Sequence, residues 1–239
     1  MKSIDADYAA FQKAISYGFV SKNDKKIEDL NKLIETYSKS QYRDDTLFEL
    51  GNTYVAEKKS DLAIKTYDQL ISEFKNGSYA SKAILRQGLI YYNSEKDDLA
   101  IGKFKKVAAE YPKTPEALEA VSTARIIYVD NGKVDEYATW VRTLDFVSVT
   151  EAELDNDTYE AAEKQYLQNN TKQSISAFSG YVSKFPNTKI YTESNYISSL
   201  FLINNFQNIF LLMLTFIILS LKMLLGWLMF QAANNKIKI

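Results

Sequence analysis

Cysteine and histidine are both absent from the 239 residues. Their absence removes disulfides, thiol nucleophiles, the usual zinc sites and imidazole acid–base work. It leaves the redox compartment open, because a cysteine-free chain suits either. Proline and glycine are scarce, at 3 and 8 residues, and fall mostly where helices would end. The start is also bare of an export signal: Met1-Lys2 runs straight into Ser3-Ile4-Asp5, with no apolar stretch behind it. No Gly-rich phosphate loop, nucleophile elbow or zinc spacing occurs, so no cofactor and no enzymatic activity are expected.

Charge is near balance, at −1 overall, from 29 basic and 30 acidic residues. Three of the lysines (Lys222, Lys236, Lys238) and none of the acids lie beyond residue 195, so the preceding part is the acidic one. No basic stripe appears, which argues against nucleic acid as a partner.

What the chain has is repetition. Over 42–112, Leu50-Gly51, Tyr54, Ala63 and Tyr67 are followed 37 residues later by Gly88, Tyr91, Ala100 and Phe104, then Pro112. A fixed period in the thirties signals stacked helical pairs. Subtracting 37 finds an earlier, degenerate copy in Tyr17, Ile27, Leu30, Leu33 and Tyr37, with Ala14 in the place of Gly51. Apolar residues at i, i+3, i+4 and i+7 give each helix one buried stripe.

Helices are expected near 5–20, 24–38, 43–57, 60–74, 79–93, 97–111, 115–130 and 134–145. Ser60 and Asp97 read as N-caps, and Thr114-Pro115 as a cap followed by proline at the first helical position. The stretch 146–157 reads as a long loop. Thr150-x-x-Glu153 and Asp157-x-x-Glu160 are capping boxes. A further unit carries Tyr166, Phe178 and Pro186 at the earlier spacing, and a sixth begins near residue 189. The units are thus 5–38, 43–75, 79–112, 115–145 and 157–186, in an array over 1–195. The fold class is all-α, a superhelical solenoid of antiparallel helix pairs followed by a C-terminal apolar helix.

Leu-Gly-x-x-Tyr, then Ala-x-x-x-aromatic, then Pro, resembles the tetratricopeptide repeat. The run also resembles the interior of long periplasmic repeat proteins of Bacteroidota, through 126–137 and 154–163. That resemblance implies a bacterial cell-envelope setting, whereas the first residues show no export signal. It also implies a binding groove lined by the first helix of each pair. The groove residues it points to are Phe48, Asn52, Lys82, Arg86, Leu89 and Tyr92, with Asp45, Val55 and Leu85 on the same helices. Lys82 and Arg86, one turn apart, could receive a carboxylate. A full carboxylate clamp would need lysine where Phe48 stands, so mixed apolar and polar recognition of a protein segment is expected.

Other motifs carry less. The acids Glu151, Glu153, Asp155 and Asp157 have no glycine among them, as a calcium loop would require, and read as helix-start charges. The sequons at Asn76, Asn156 and Asn169 read as chance in an Asn-rich chain. An enzyme built on paired surface carboxylates is the remote alternative.

The tail, 196–239, breaks the rhythm. Residues 194–221 hold no charge, and 14 of the 22 residues in 209–230 are Leu, Ile or Phe. At about −0.3 to −0.6 kcal/mol each they outweigh about +3 for Lys222, so insertion as a transmembrane helix is favourable. Its restricted alphabet of Phe, Leu, Ile, Asn, Lys and Ser suggests instead an out-of-frame reading of the next repeat, and so a truncated fragment. The function expected is a protein–protein interaction scaffold, with a membrane-anchored adaptor as the alternative.

Overall fold

A computed structural model describes residues 5–186. The tail 196–239, with the expected apolar helix at 209–230 and the sixth unit from 189, lies outside the described residues. Among the described residues no helix is long and apolar enough to cross a membrane. Ten helices run in chain order: α1 (Ala6–Phe19), α2 (Asn23–Thr36), α3 (Arg43–Ala56), α4 (Ser60–Glu73), α5 (Ala80–Tyr92), α6 (Asp97–Glu110), α7 (Pro115–Asp130), α8 (Val134–Val141), α9 (Glu151–Leu167) and α10 (Thr171–Lys184). Two compact units divide the chain, Met1–Thr150 and Glu151–Ile239. In the first, α1 to α8 pack as successive antiparallel pairs, each also packing on the next. In the second, α9 and α10 form one pair.

The 37-residue step is built into the backbone. Ser21, Lys58, Glu95, Gly132 and Asn169 stand 37 apart, and all are left-handed, with φ of 56°, 57°, 56°, 67° and 60°. Each sits just past the first helix of its pair. The amide that follows each left-handed residue then reaches back. Lys22 N–H donates to Tyr17 O at 2.9 Å, Lys59 to Tyr54 at 2.8 Å, Lys96 to Tyr91 at 3.0 Å, Lys133 to Tyr128 at 2.7 Å and Asn170 to Gln165 at 3.0 Å. This is the Schellman closure, which satisfies carbonyls that a helix end leaves open. Glycine fills the left-handed site only at Gly132; the other four carry a side chain there.

The second helices start without side-chain caps. Lys22, Lys59, Lys96 and Lys133 occupy the cap positions, and none makes a capping hydrogen bond. Ser60 and Asp97, expected as caps, are instead the first helical residues. The Schellman turn fixes where the chain re-enters helix, so the boundary shifts by one residue. Asp24, Asp61, Asp98 and Asp135 recur in the first turns and place negative charge by the helix amides. The Thr114-Pro115 start forms as expected: the Thr114 hydroxyl accepts from Ala117 N–H at 3.2 Å, with proline at the first position.

Between the helices of a pair, small meets large. Gly51 lies under the ring of Tyr67 and Gly88 under that of Phe104. In the first pair Ala14 faces the same slot, and the residue there is Leu30; both are fully buried. Leu50, Ala63, Ala100 and Phe104 are also buried, while Tyr54 packs half-buried across two core clusters. Tyr91 is half-buried and Pro112 and Pro186 are exposed. Between pairs, Arg43 holds the Glu73 carboxylate with two nitrogens, at 2.6 and 3.0 Å, and donates to the Ile34 carbonyl at 2.9 Å. One guanidinium thus ties the end of α2 to the end of α4.

The later helices depart from expectation in three places. Helix α8 stops at Val141, not near 145, and within it Tyr137 occupies the slot of Ala100 and Val141 that of Phe104. Size is exchanged between the two positions, and Tyr128, Tyr137 and Trp140 pack around the change, with ring centroids 6.1 to 6.4 Å apart. Helix α9 begins at Glu151, inside the expected loop. Asp157 is therefore a fully buried residue in mid-helix and starts nothing. Tyr166 is 42% exposed. The residue 37 beyond Tyr128 is Gln165, which closes the turn, so Tyr166 stands one place out of the tyrosine register. Phe178 keeps its slot, fully buried, with its ring 5.8 Å from that of Tyr159 on α9.

Candidate functional site

In the first unit, α1 and α3 line one open surface. Between α1 and α3 it opens a cavity of about 590 Å³, lined by Gln12, Ile15 and Phe19 from α1 and by Asp45, Glu49, Asn52 and Ala56 from α3. Six of these lining positions form three pairs at a spacing of 37: Gln12 with Glu49, Ile15 with Asn52 and Phe19 with Ala56. The same step from Asp45, Glu49 and Asn52 reaches Lys82, Arg86 and Leu89 on α5. The wall of the cavity and the expected groove residues therefore belong to one set of helical positions, continued along the array.

Each polar wall residue of α3 is positioned by a neighbour. The Tyr67 hydroxyl donates to Asn52 Oδ1 at 2.8 Å. Burial pushes the Tyr67 phenol up, against the pull of the nearby Arg86 charge. The Tyr79 hydroxyl donates to Asp45 Oδ1 at 2.6 Å. That bond, then burial, then the charges of Asp45, Asp44 and Glu49 push the Tyr79 phenol up to about 12. Lys26, reaching from α2, pairs with Glu49 at 2.9 Å.

The third pair presents cations instead. Lys82 and Arg86 are exposed on α5. The Lys82 ammonium lies over the Tyr79 ring, 5.4 Å from its centroid. Among the described residues neither has a carboxylate partner. Leu89 and Tyr92 are half-buried on the same helix, and Leu85 is buried. Phe48 departs from the expected groove set. Its ring stacks on Tyr79 at 4.6 Å and tilts against Tyr67 at 6.2 Å, so it fills the junction between two pairs. Its replacement by lysine would put a charge into that junction.

Gln12, Ile15, Phe19 and Glu49 were not among the expected groove residues. Their signal was available, since they are the positions 37 before Glu49, Asn52, Ala56 and Arg86. It was masked because the first copy has lost the repeat's glycine and one of its aromatic residues. No cluster of three or more acidic side chains able to hold a metal ion occurs among the described residues. Among the acids of α9, Asp155 accepts from the Tyr181 hydroxyl at 2.6 Å.

Residues 45–77 and 82–114 each match the family model described as tetratricopeptide repeat. Those two stretches are tetratricopeptide repeats. These two matches bracket α3 to α6, where the glycine–ring contacts are formed. Among solved structures, a tetratricopeptide repeat protein from Parabacteroides merdae is similar over 84% of this chain and 75% of its own, at 14% identity and a TM-score of 0.50. A MamA protein is similar over 78% of this chain and 96% of its own, at 13% identity and a TM-score of 0.50. At such identities the likeness concerns the tetratricopeptide fold alone. No curated protein matches the chain.

Proposed function

We propose that this tetratricopeptide array is a non-catalytic scaffold that holds a segment of a partner protein against the first-helix face of its repeats. The observation that carries the reading is the recurrence of the cavity wall. Asp45, Glu49 and Asn52 border an open volume of about 590 Å³, and the step of 37 continues that wall through Lys82, Arg86 and Leu89. Ile15, Phe19 and Leu89 stand beside those charges, so this face offers apolar as well as polar contact. Concave, largely pre-formed sites with a few placed polar groups suit ligand capture, and stacked repeats offer such surfaces in series.

A photo-crosslinking residue at position 89 or 52 tests it, with Leu99, 52% exposed on a second helix, as the control position. Crosslinks to a partner from 52 and 89, and none from 99, are expected. Equal crosslinking at all three would overturn the groove reading. A membrane-held adaptor is the second reading, and it rests on the uncharged run 194–221. Retention of the full chain in the membrane pellet through alkaline extraction would support it.

A further inference from the structure

Within that groove, we propose that the cavity between α1 and α3 takes a lysine or arginine side chain flanked by an apolar one, so that the partner is a cationic, apolar segment of protein. This inference rests on the groove reading and adds the chemistry of its first subsite. The floor and rim on α1 are apolar: Phe11, Ile15 and Phe19, the last 85% exposed at the mouth. The opposite wall on α3 is acidic, from Asp45 and Glu49.

One cation, Lys26, also lines the cavity, and Glu49 engages it at 2.9 Å. Asp45 receives only a neutral phenol, through one of its two oxygens. Tyr79 lines the cavity, and the carboxylates Asp44, Asp45 and Glu49 act on it against one ammonium, Lys82, 5.4 Å from its ring centroid, so acid outnumbers base there. A carboxylate oxygen beside apolar walls gains most from a charged donor, because such bonds are shorter and stronger than neutral ones. An incoming guanidinium or ammonium can lay its methylene stem along Ile15 and Phe19 while its head reaches Asp45. An acidic segment would meet like charge at the same place, which disfavours it.

Panning short random peptides on the full chain tests this directly. Peptides enriched for Lys or Arg beside Phe, Leu or Ile are expected. Their binding should fall by about tenfold or more in Asp45→Lys, and by several-fold in Phe19→Ala, where so exposed a ring can be removed without loss of fold. Enriched peptides that lose binding in Arg86→Ala but not in Asp45→Lys or Phe19→Ala would overturn this inference and leave the groove reading standing. Peptides indifferent to all three substitutions, or no enrichment at all, would overturn both. Thermal melts of each variant separate lost binding from lost folding.

Discussion

A Cβ atom added to Gly88 would stand 2.5 Å from Cε1 of Phe104, inside the reach of any real side-chain contact. The ring is fully buried and cannot swing away. Gly88→Ala gains up to about 1 kcal/mol of helix propensity, yet overpacking costs about 1–3 kcal/mol, so net destabilisation is expected. The first pair shows the remedy, since alanine at 14 coexists with leucine at 30. Gly88→Ala combined with Phe104→Leu should recover part of the loss, with a coupling of about 1 kcal/mol in a urea-melt double-mutant cycle. Purely additive effects would contradict the close-approach account.

The pairing of glycine with ring was legible in the chain because it repeats by type at one offset. The left-handed ladder was not. Ser21, Lys58, Glu95, Gly132 and Asn169 share a φ and no chemistry, so no residue pattern announces them. Only the turn at Asn131-Gly132 could be read, because glycine marks it. The groove shows the same limit. Lys82 and Arg86 were visible as a cationic pair one turn apart, whereas Phe48 looked equally available until Tyr79 was found stacked on it. Sequence periodicity tells which face a residue occupies; it does not tell what the next helix pair puts there. Tyr166 was misplaced for a related reason, because a tyrosine one residue out of register resembles one in register when the neighbouring copies are degenerate.

The ladder yields its own test. An L-residue in the left-handed region costs about 1 kcal/mol relative to glycine. Lys58→Gly and Glu95→Gly should each raise stability by about 0.5–1 kcal/mol in chemical denaturation. Gly132→Ala should lower it by a similar amount, although nothing stands within 4 Å of the added Cβ. Backbone conformation alone would account for that loss. No change in any of the three would show that the turns relax without cost.

Alkaline pH should act on the groove through Tyr79. Its ordinary value of 10.0 is pushed up to about 12, first by the bond to Asp45. The folded chain therefore holds this proton where the unfolded chain has lost it. By linkage, the stabilisation is complete below 10.0 and disappears as pH climbs to about 12. In a comparison of urea midpoints across that window, wild type should lose more stability than Tyr79→Phe. Ultraviolet titration should also show one late phenol that moves earlier in Asp45→Asn. An unchanged titration in that variant would remove the Asp45 bond as the cause.

Gln87 provides the last test, because it stands fully buried in the slot that Leu50 fills one step earlier. Its amide nitrogen donates to the Ile64 carbonyl at 3.0 Å and to Asp68 at 2.8 Å, and its oxygen accepts from Lys103 at 2.5 Å. Burial holds the Lys103 ammonium below its usual range despite nearby Asp68. Asp68 keeps 60% of its side chain in solvent and Lys103 keeps 26%, so both can return to water if the amide is removed. Removing one partner of a buried hydrogen bond costs most where the other stays buried and unpaired, and here the two charged partners can be solvated. Gln87→Leu should therefore change stability by no more than about 1 kcal/mol, while Gln87→Ala, which opens a cavity, should cost about 2–3 kcal/mol. If Gln87→Leu proves as damaging as Gln87→Ala, the amide contributes through its three hydrogen bonds and not by filling volume, and the α4–α5–α6 junction is held by polarity at the position where its neighbour uses leucine.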